Sequence, residues 1–522
     1  MSDLELLEEY KGAFTDLIKS GKKYTYLVGA GISMDPPSSI PSAREIVRAM
    51  LELCAPMEEI DNLLSLRTLR YEMMIEKIKN NVDKNLHFLD YLELIDRPNY
   101  IHYYLANAVA KRQDYVVTTN FDFMIERALQ NIITPEKQKD ILPVITRDDF
   151  DTKYRPHDLY TEGKFPIYKI HGSKRDIITA KDTKDSLITT MAALGKDREV
   201  QETFALETYK KQAVYNLMKD QTLIVMGYSG SDDFDIGPTL KTITYLDELI
   251  WIEHSQDEKI LKINKNLSGK SLDSFSHSEQ LLIEIATKAD FDVFLIRINT
   301  SKFVKEILWQ NLLSEISIPY FDSFKIKEIP DFKDWVQKEF KDVSLSEVKK
   351  YMISCSIYNE LSLSNECYSN AEKGLNLAKL AKDNDSQTFF LNYLGSRNLK
   401  KGNLEKAENY FKESLKLSEK LENPLKKAIA LSNLGHLIMK KNELRLNFNS
   451  KEAREITLEA LQLFDKEKDS IGKLACLNNL AEIYLWEGSF IEAMQDLMNA
   501  LTLVMDIGNL EIKATISNNV GW

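Results

Sequence analysis

Four short segments place glycines or small polar residues beside side chains that can act in acid–base chemistry. They are "VGAGIS" (28–33), "VVTTNFD" (116–122), "YKIHG" (168–172) and "VMGYSGSDDFD" (225–235). Gly29 and Gly31 let the backbone pass close to a ligand, as in glycine turns that hold a nucleotide phosphate. Met34 stands where a dinucleotide fingerprint has its third glycine, and no GK[ST] follows as in a P-loop. The alternative that this glycine segment is only a structural turn between strand and helix therefore remains.

Each segment lies at the carboxyl end of an apolar run that predicts a strand. Ligands bind at this edge of open α/β sheets, so we expect the four segments to lie together. Each has an ordinary alternative. Thr119, Asn120 or Asp122 could cap the next helix. His171 could be a turn histidine, and the last segment could be a polar loop.

Apolar runs and helical patterns alternate up to about residue 300. The runs are "YTYLV", "DYVVTTN", "IYKIHG", "TLIVMGY", "ELIWIEH" and "DVFLIRIN". Strands that are apolar on both faces and separated by helices predict a parallel sheet covered on both sides, the doubly wound (Rossmann-like) α/β class. Between the first two strands, residues 42–112 predict helices, interpreted as a helical insertion. The acidic N-terminus also predicts helix.

From about residue 350 onward the sequence repeats. Similar segments begin at Tyr351, Leu391, Leu431, Leu477 and Ile516, and each full unit carries a small residue, followed eight and ten residues later by leucine. The pattern resembles tetratricopeptide repeats of about forty residues, which stack into an all-α solenoid. Six extra residues in one unit predict a loop around "NELRLNFNS". The array stops within a repeat, so we expect the natural chain to continue beyond Trp522.

These patterns predict the following domains: residues 1–315 with the insertion at 42–112, a connector at 316–344, and repeats at 345–522, the last one incomplete.

Taken in order, GAG-x-S, T-x-N-x-D, H-G and G-Y-S-G-S-D resemble the sirtuin superfamily over residues 20–300, specifically the divergent prokaryotic sirtuin-like domains of multidomain defence proteins. The resemblance implies that Asn120, His171 and Asp122 are catalytic: Asn120 holds ribose or water, His171 is the base, and Asp122 binds the nicotinamide carboxamide. It also implies a set of NAD-binding residues: Gly29, Ala30, Gly31, Ser33, Thr119, Gly227, Ser229, Ser231 and Asp232.

Two departures from protein-deacylating sirtuins bear on the acceptor. No cysteine lies between Cys54 and Cys355, so their four-cysteine zinc module is missing, and Thr119 replaces their glutamine. Water thus becomes the expected acceptor, with NAD+ as substrate, no cofactor and no zinc. His102 is interpreted as a helix residue facing the sheet, with a pocket role as the alternative.

Charge and composition bear on the partners and the cellular location of the protein. The net charge of −12 is spread along the chain, which argues against nucleic-acid binding. The four cysteines are far apart and no apolar run is long enough for a membrane span, which predicts a cytoplasmic protein that does not bind membranes.

The main hypothesis is an NAD+ hydrolase that releases nicotinamide and ADP-ribose. The resemblance implies the effector of an anti-phage (abortive infection) protein. It also implies a homo-oligomer whose repeats bind a protein trigger or partner, which a phage could supply. Two alternatives stay open: a non-catalytic NAD- or ADP-ribose-binding module that recruits a partner through the repeats, and an NAD-dependent deacylase or ADP-ribosyltransferase.

Overall fold

The computed structural model describes residues 6–66, 68–187, 206–230, 235–265, 272–317, 329–445 and 450–507. They form two compact units. The first comprises the described parts of Met1–Ile46, Leu86–Ile188 and Arg198–Lys338, and the second those of Val47–Asn85 and Glu339–Trp522. Most of the expected insertion therefore groups with the repeats, while the domain ranges inferred from the sequence stay a prediction.

The first unit is built on a nine-stranded sheet with the order β1-β8-β9-β7-β6-β2-β3-β5-β4. Neighbours from β9 through β4 run parallel, whereas β8 is antiparallel to β1 and β9. The predicted α/β class is confirmed, as a mixed sheet dominated by parallel pairs. The strands are β1 Leu7–Glu9, β2 Tyr24–Val28, β3 Tyr115–Thr118, β4 Ile141–Val144, β5 Phe165–Lys169, β6 Thr222–Met226, β7 Glu248–His254, β8 Lys259–Ile263 and β9 Asp292–Ile298.

Both faces of this sheet are covered. Every residue of β2 is buried; Tyr26 and Val28 join the core on one face, and Leu27 joins the core on the other. Burial on both sides explains why the strand sequences are apolar throughout rather than alternating. Because β3 and β6 flank β2 on opposite sides, the strand order reverses at β2, which is where open α/β sheets form a ligand crevice.

The six strands predicted from the sequence are present, and β1, β4 and β8 are additional. The helix expected at the N-terminus is wrong at residues 7–9. Leu7–Glu9 instead pair antiparallel with β8, and helix is confined to Phe14–Leu17 in this segment. A pairing partner about 250 residues away decides this conformation, so local preference is overridden.

The first unit contains short helices as well as longer ones that cover the sheet. Its α-helices are Phe14–Leu17, Tyr91–Leu94, Tyr100–Asn107, Met124–Ile132, Arg147–Thr152, Pro156–Thr161, Thr208–Met218, Ile236–Leu240, His277–Lys288, Thr300–Lys302, Gln310–Leu312 and Phe332–Glu339; 3₁₀ turns occur at Ala30–Ser33, His87–Asp90, Pro135–Asp140 and Lys184–Ser186, and π-helix at Ala108–Arg112 and Phe303–Trp309.

The second unit is helical, which confirms the helical run predicted at the C-terminal end. The helices pair as Glu347–Glu360 with Ser364–Leu380, Asn384–Lys400 with Leu404–Lys420, Pro424–Arg445 with Ser450–Lys466, and Ser470–Glu487 with Phe490–Ile507. The small residues of the repeat, Cys367, Ala407, Ala453 and Ala493, are all buried. The expected loop is wrong at residues 442–445, which extend a helix; residues 446–449 and the repeat start at Ile516 lie outside the described residues.

Helices from the expected insertion also belong to this unit. Ala43–Cys54 enters it at Val47, and Met57–Ser65 and Tyr71–Asn81 follow. Tyr358 donates a hydrogen bond to buried Glu59 (Oη–Oε2 2.7 Å), so a polar contact joins the first repeat to the insertion.

In the part of the chain that the structure describes, no helix is both long enough and apolar enough to cross a membrane.

Candidate functional site

Two glycine loops meet at the carboxyl edge of the sheet, after β2 and β6. Gly31 N–H donates to the carbonyl of Gly227 (2.9 Å), and a Cβ on Gly29 would lie 2.6 Å from the same oxygen. Gly227 itself has a φ of +64°. The glycines are therefore required by the close approach of the two loops, whatever they do for a ligand.

Asn120 follows β3 and is 6% exposed. Its Nδ2 donates to the Gly29 carbonyl (3.2 Å), and its backbone N–H donates to Thr118 Oγ1 (3.0 Å). Its side-chain oxygen Oδ1 is buried and has no hydrogen-bond partner among the described residues. Leaving a buried acceptor unpaired costs about 1–3 kcal/mol, so the site is complete only when a ligand or water supplies a donor.

Asp122 is fixed through both carboxylate oxygens. Oδ2 accepts from Ser33 Oγ (2.9 Å), and Oδ1 accepts from the backbone N–H of Met124 (3.0 Å), at the start of the helix Met124–Ile132. Oδ1 of Asp122 therefore accepts from the start of the helix, as the capping alternative expects, whereas Oδ2 is bound to the turn after β2. Ser33 and Asp122 are both buried.

His102 completes this cluster. It is fully buried, and its Nε2 lies 3.0 Å from Ser33 Oγ. Burial lowers the pKa of its imidazole to about 4, with the carboxylate of Asp122 acting in the opposite direction. The ring is therefore neutral at pH 7. His102 does lie on a helix over the sheet, as interpreted from the sequence, but it also makes a specific polar contact with a candidate site residue.

His171 follows β5, the neighbour of β3. Its Nε2 lies 2.9 Å from Oδ2 of Asp235, whose side chain is fully buried. Asp235 also accepts from the N–H of Ile236 through Oδ1 (2.6 Å). When Asp235 is ionised its carboxylate only accepts hydrogen bonds, so Nε2 is then the donor in this contact. A carboxylate so placed orients an imidazole and stabilises its protonated form.

Two of the three catalytic candidates, Asn120 and His171, follow neighbouring strands at one edge of the sheet. Thr118 and Lys169 are paired across β3 and β5, and Asn120 and His171 each stand two residues beyond that pair. The ring of Phe121 lies 6.5 Å from the His171 ring, centroid to centroid. The register of two parallel strands thus brings together residues that are 51 positions apart (171 − 120).

Two buried lysines hold the backbone beneath these residues. Lys169 donates to the Asp122 carbonyl and pairs with Glu126 Oε1 (3.0 Å). Lys210 donates to the Ile170 carbonyl (2.6 Å), directly before His171, and pairs with a buried glutamate, Glu207. Each pair neutralises a buried charge and supplies a donor to a loop that carries a site residue.

Three other predicted residues are described near this edge. Ala30 and Ser229 are exposed, and Thr119, which is half-buried, donates its N–H to the Val28 carbonyl (3.1 Å), tying the ends of β2 and β3 together. Ser231 and Asp232 lie outside the described residues.

Sequence reasoning did not assign a site role to Asp235, Lys169 or Lys210. Asp235 falls inside the quoted segment "VMGYSGSDDFD", but it is one of three aspartates there and the pattern does not say which one faces His171. The lysines carry no signal at all, because a lysine on a strand or helix is ordinarily exposed.

The described residues contain no group of three or more His, Cys, Asp or Glu side chains that could hold a metal ion.

Family comparison assigns two parts of the chain. Residues 114–261 match the SIR2-like domain, and residues 474–503 match a tetratricopeptide repeat. The first match contains Asn120, Asp122, His171 and Asp235. No match to a curated protein was found. Residues 114–261 are thus similar to SIR2-like domains and residues 474–503 to a tetratricopeptide repeat, as the resemblance predicts.

Proposed function

We propose that this chain hydrolyses NAD+ to nicotinamide and ADP-ribose. The observation that supports it most is the buried, unpartnered Oδ1 of Asn120, at the sheet edge that also carries the His171–Asp235 pair. A fixed acceptor beside an oriented base suits a reaction in which water or a ribose hydroxyl must be held and deprotonated.

The bond that breaks joins C1′ of the ribose to the nicotinamide nitrogen, through an oxocarbenium-like state. Nicotinamide leaves with the bonding electron pair, and the carboxylate of Asp122 binds its carboxamide. Asn120 Oδ1 accepts a hydrogen bond from water or from a ribose hydroxyl. Water forms the new C1′–O bond, and its proton goes to His171, whose positive charge Asp235 offsets.

Water is the proposed acceptor because the sequence departs from deacylases. Thr119 stands where they carry glutamine, and no cysteine occurs between Cys54 and Cys355 to build their zinc module. NAD+ enters this scheme as substrate, and no step in it calls for zinc or another cofactor.

We also propose a setting for this activity, based on the resemblance. The enzyme is the effector of a cytoplasmic anti-phage defence protein, it works as a homo-oligomer, and its repeats bind a protein trigger, which a phage could supply. The repeats support this part, since tetratricopeptide-type solenoids present concave binding surfaces to protein partners.

The test is NAD+ consumption by the purified chain, with chromatographic separation of nicotinamide, ADP-ribose and cyclic ADP-ribose. Asn120→Ala and His171→Ala should each fold and abolish turnover. Lys164→Met is a matched control, because Lys164 lies at the opposite end of β5 and makes a partly exposed ion pair with Asp140. Wild-type turnover in either site variant would refute the assignment.

The assay also separates the alternatives. NAD+ binding without turnover, unchanged when a cell lysate supplies a trigger, would indicate a binding module. ADP-ribose found on protein instead of free would indicate a transferase, and loss of acyl groups from a lysine peptide would indicate a deacylase.

A further inference from the structure

A chain of hydrogen bonds links the helix before β3 to the turn after β2. His102 occupies the third position of the helix Tyr100–Asn107, which Asn99 caps. The backbone N–H of Asn99 donates to His102 Nδ1 (3.0 Å). Nδ1 is therefore an acceptor, and the neutral ring carries its proton on Nε2.

This tautomer decides which group donates in each of the two following hydrogen bonds. Nε2–H donates to Ser33 Oγ (3.0 Å), so the Ser33 hydroxyl can turn its own proton to Asp122 Oδ2 (2.9 Å). The carboxylate accepts at the end of the chain. Each group has the donor or acceptor that its neighbour needs, and all three side chains are buried.

A second contact fixes the same two elements against each other. Asn99 Nδ2 donates to the carbonyls of Ile32 (2.7 Å) and Asp35 (3.2 Å), on either side of Ser33 in the turn. Helix and turn are thus joined by side-chain hydrogen bonds to backbone carbonyls as well as by the bond between the His102 and Ser33 side chains. The contact between His102 and Ser33 is held in place rather than incidental.

We infer that His102 is a positioning residue, which acts through Ser33 to fix the Asp122 carboxylate as the acceptor for the carboxamide of nicotinamide. The inference rests on the proposed function, in which Asp122 binds that carboxamide. Each Asp122 oxygen accepts one hydrogen bond within the chain, Oδ2 from Ser33 and Oδ1 from the Met124 N–H. A carboxylate oxygen can accept a second hydrogen bond, so Asp122 can bind a carboxamide N–H while it keeps its bonds to Ser33 and Met124.

Binding of the two product halves provides the test, because it does not depend on turnover. The dissociation constants of ADP-ribose alone, and of nicotinamide with ADP-ribose saturating, are measured by calorimetry. His102→Leu should weaken nicotinamide binding roughly ten- to hundredfold, which is the effect of losing the hydrogen bond between the carboxamide and the charged Asp122 carboxylate. It should leave ADP-ribose binding within about twofold. His102→Gln should restore most of the affinity, because its amide N–H reaches the place of Nε2.

Two further variants distinguish positioning from packing. Asn107→Leu is the matched control: Asn107 is buried on the same helix, and its side chain donates to Tyr103 O in that helix. It should leave nicotinamide binding unchanged. In nicotinamide binding, Ser33→Ala should match His102→Leu, and the double variant should be no worse than either alone, because both substitutions break the same series of hydrogen bonds. Ser33→Ala, which removes a single oxygen, keeps the test decisive if His102→Leu does not fold.

The outcomes separate the two claims. If nicotinamide binding is unchanged in His102→Leu or in Ser33→Ala, or if His102→Leu weakens both ligands equally, the positioning role is wrong while the proposed function stands. If the wild-type protein binds neither ligand, the proposed function is wrong and the inference falls with it.

Discussion

Replacing Lys169 by methionine removes one partner of the buried ion pair between β5 and the helix Met124–Ile132. The side chains of Lys169 and Glu126 are 1% and 3% exposed, so the substitution leaves a carboxylate with almost no access to water. Breaking a buried pair from one side costs about 3–5 kcal/mol. We expect the free energy of unfolding of the first unit to fall by that amount at pH 8.

The loss should depend on pH, with a defined sign. Burial raises the pKa of Glu126 above its usual value, and Lys169 is the main group that lowers it. Without Lys169 this pKa rises further, so Glu126 is protonated at a higher pH and its uncompensated charge disappears. A group with a raised folded-state pKa gives stability at low pH and loses it as pH rises through that pKa. The difference between Lys169→Met and wild type should therefore be smaller at pH 5 than at pH 8.

A double variant separates stability from activity. Lys169→Met with Glu126→Met replaces the pair by apolar groups, which is often neutral for stability. The Asp122 carbonyl still lacks its donor, however, and a misplacement of about 1 Å costs roughly 100-fold in rate. We expect the double variant to regain most of the lost stability but not the kcat/KM for NAD+.

The free energy of unfolding is measured by urea denaturation. Hydrogen exchange of the β3 and β5 amides is the readout, because it reports on the first unit separately from the repeats. Lys164→Met serves as the control, since its partly exposed pair with Asp140 should contribute at most about 1 kcal/mol. An equal loss for Lys169→Met at pH 5 and pH 8, or wild-type kcat/KM in the double variant, would refute the reasoning.

Three further predictions follow from single contacts. Asp235→Asn should lower kcat for NAD+ by about 100-fold or more with little change in substrate affinity, since the imidazole loses the carboxylate that stabilises its charge; steady-state kinetics checks this, and an unchanged kcat would contradict it. Gly227→Ala should lower thermal stability far more than Gly163→Ala: both have positive φ (64° and 76°), but a Cβ has open space only at Gly163, and equal melting temperatures would rule out the loop contact. Between pH 6.5 and 4, the free energy of unfolding should fall by about 3 kcal/mol less in His102→Gln than in the wild type. The buried imidazole has a pKa of about 4, so in the folded wild type it stays neutral at a pH where the unfolded chain is protonated. If the free energies of unfolding of both proteins fall in parallel in acid, His102 is not buried as a neutral ring.

The sequence was sufficient for six of the nine strands, for the helical repeats and for much of the candidate site. Six strands were predictable because strands buried on both faces are apolar throughout, and the repeats because a fixed period of small residues and leucines is a local signal. Asn120, Asp122 and His171 stood out because each follows such a strand. The four-residue stretch 442–445 and the N-terminal strand were mispredicted, since local preference does not report a distant pairing partner or the continuation of a helix.

Polar partners that are far apart in sequence were decided by the tertiary structure alone. His102 and Ser33 are separated by 69 residues, and His171 and Asp235 by 64. Hydrophobic periodicity shows which face of an element is buried, but not which polar side chain it meets there. The sequence by itself determined that a glycine turn, an asparagine, an aspartate and a histidine follow strands of an α/β sheet. Only the packing of helices and loops onto that sheet decided that His102 holds Ser33, that Asp235 holds His171, and that buried lysines secure the loops, because these contacts depend on three-dimensional proximity that no local pattern encodes.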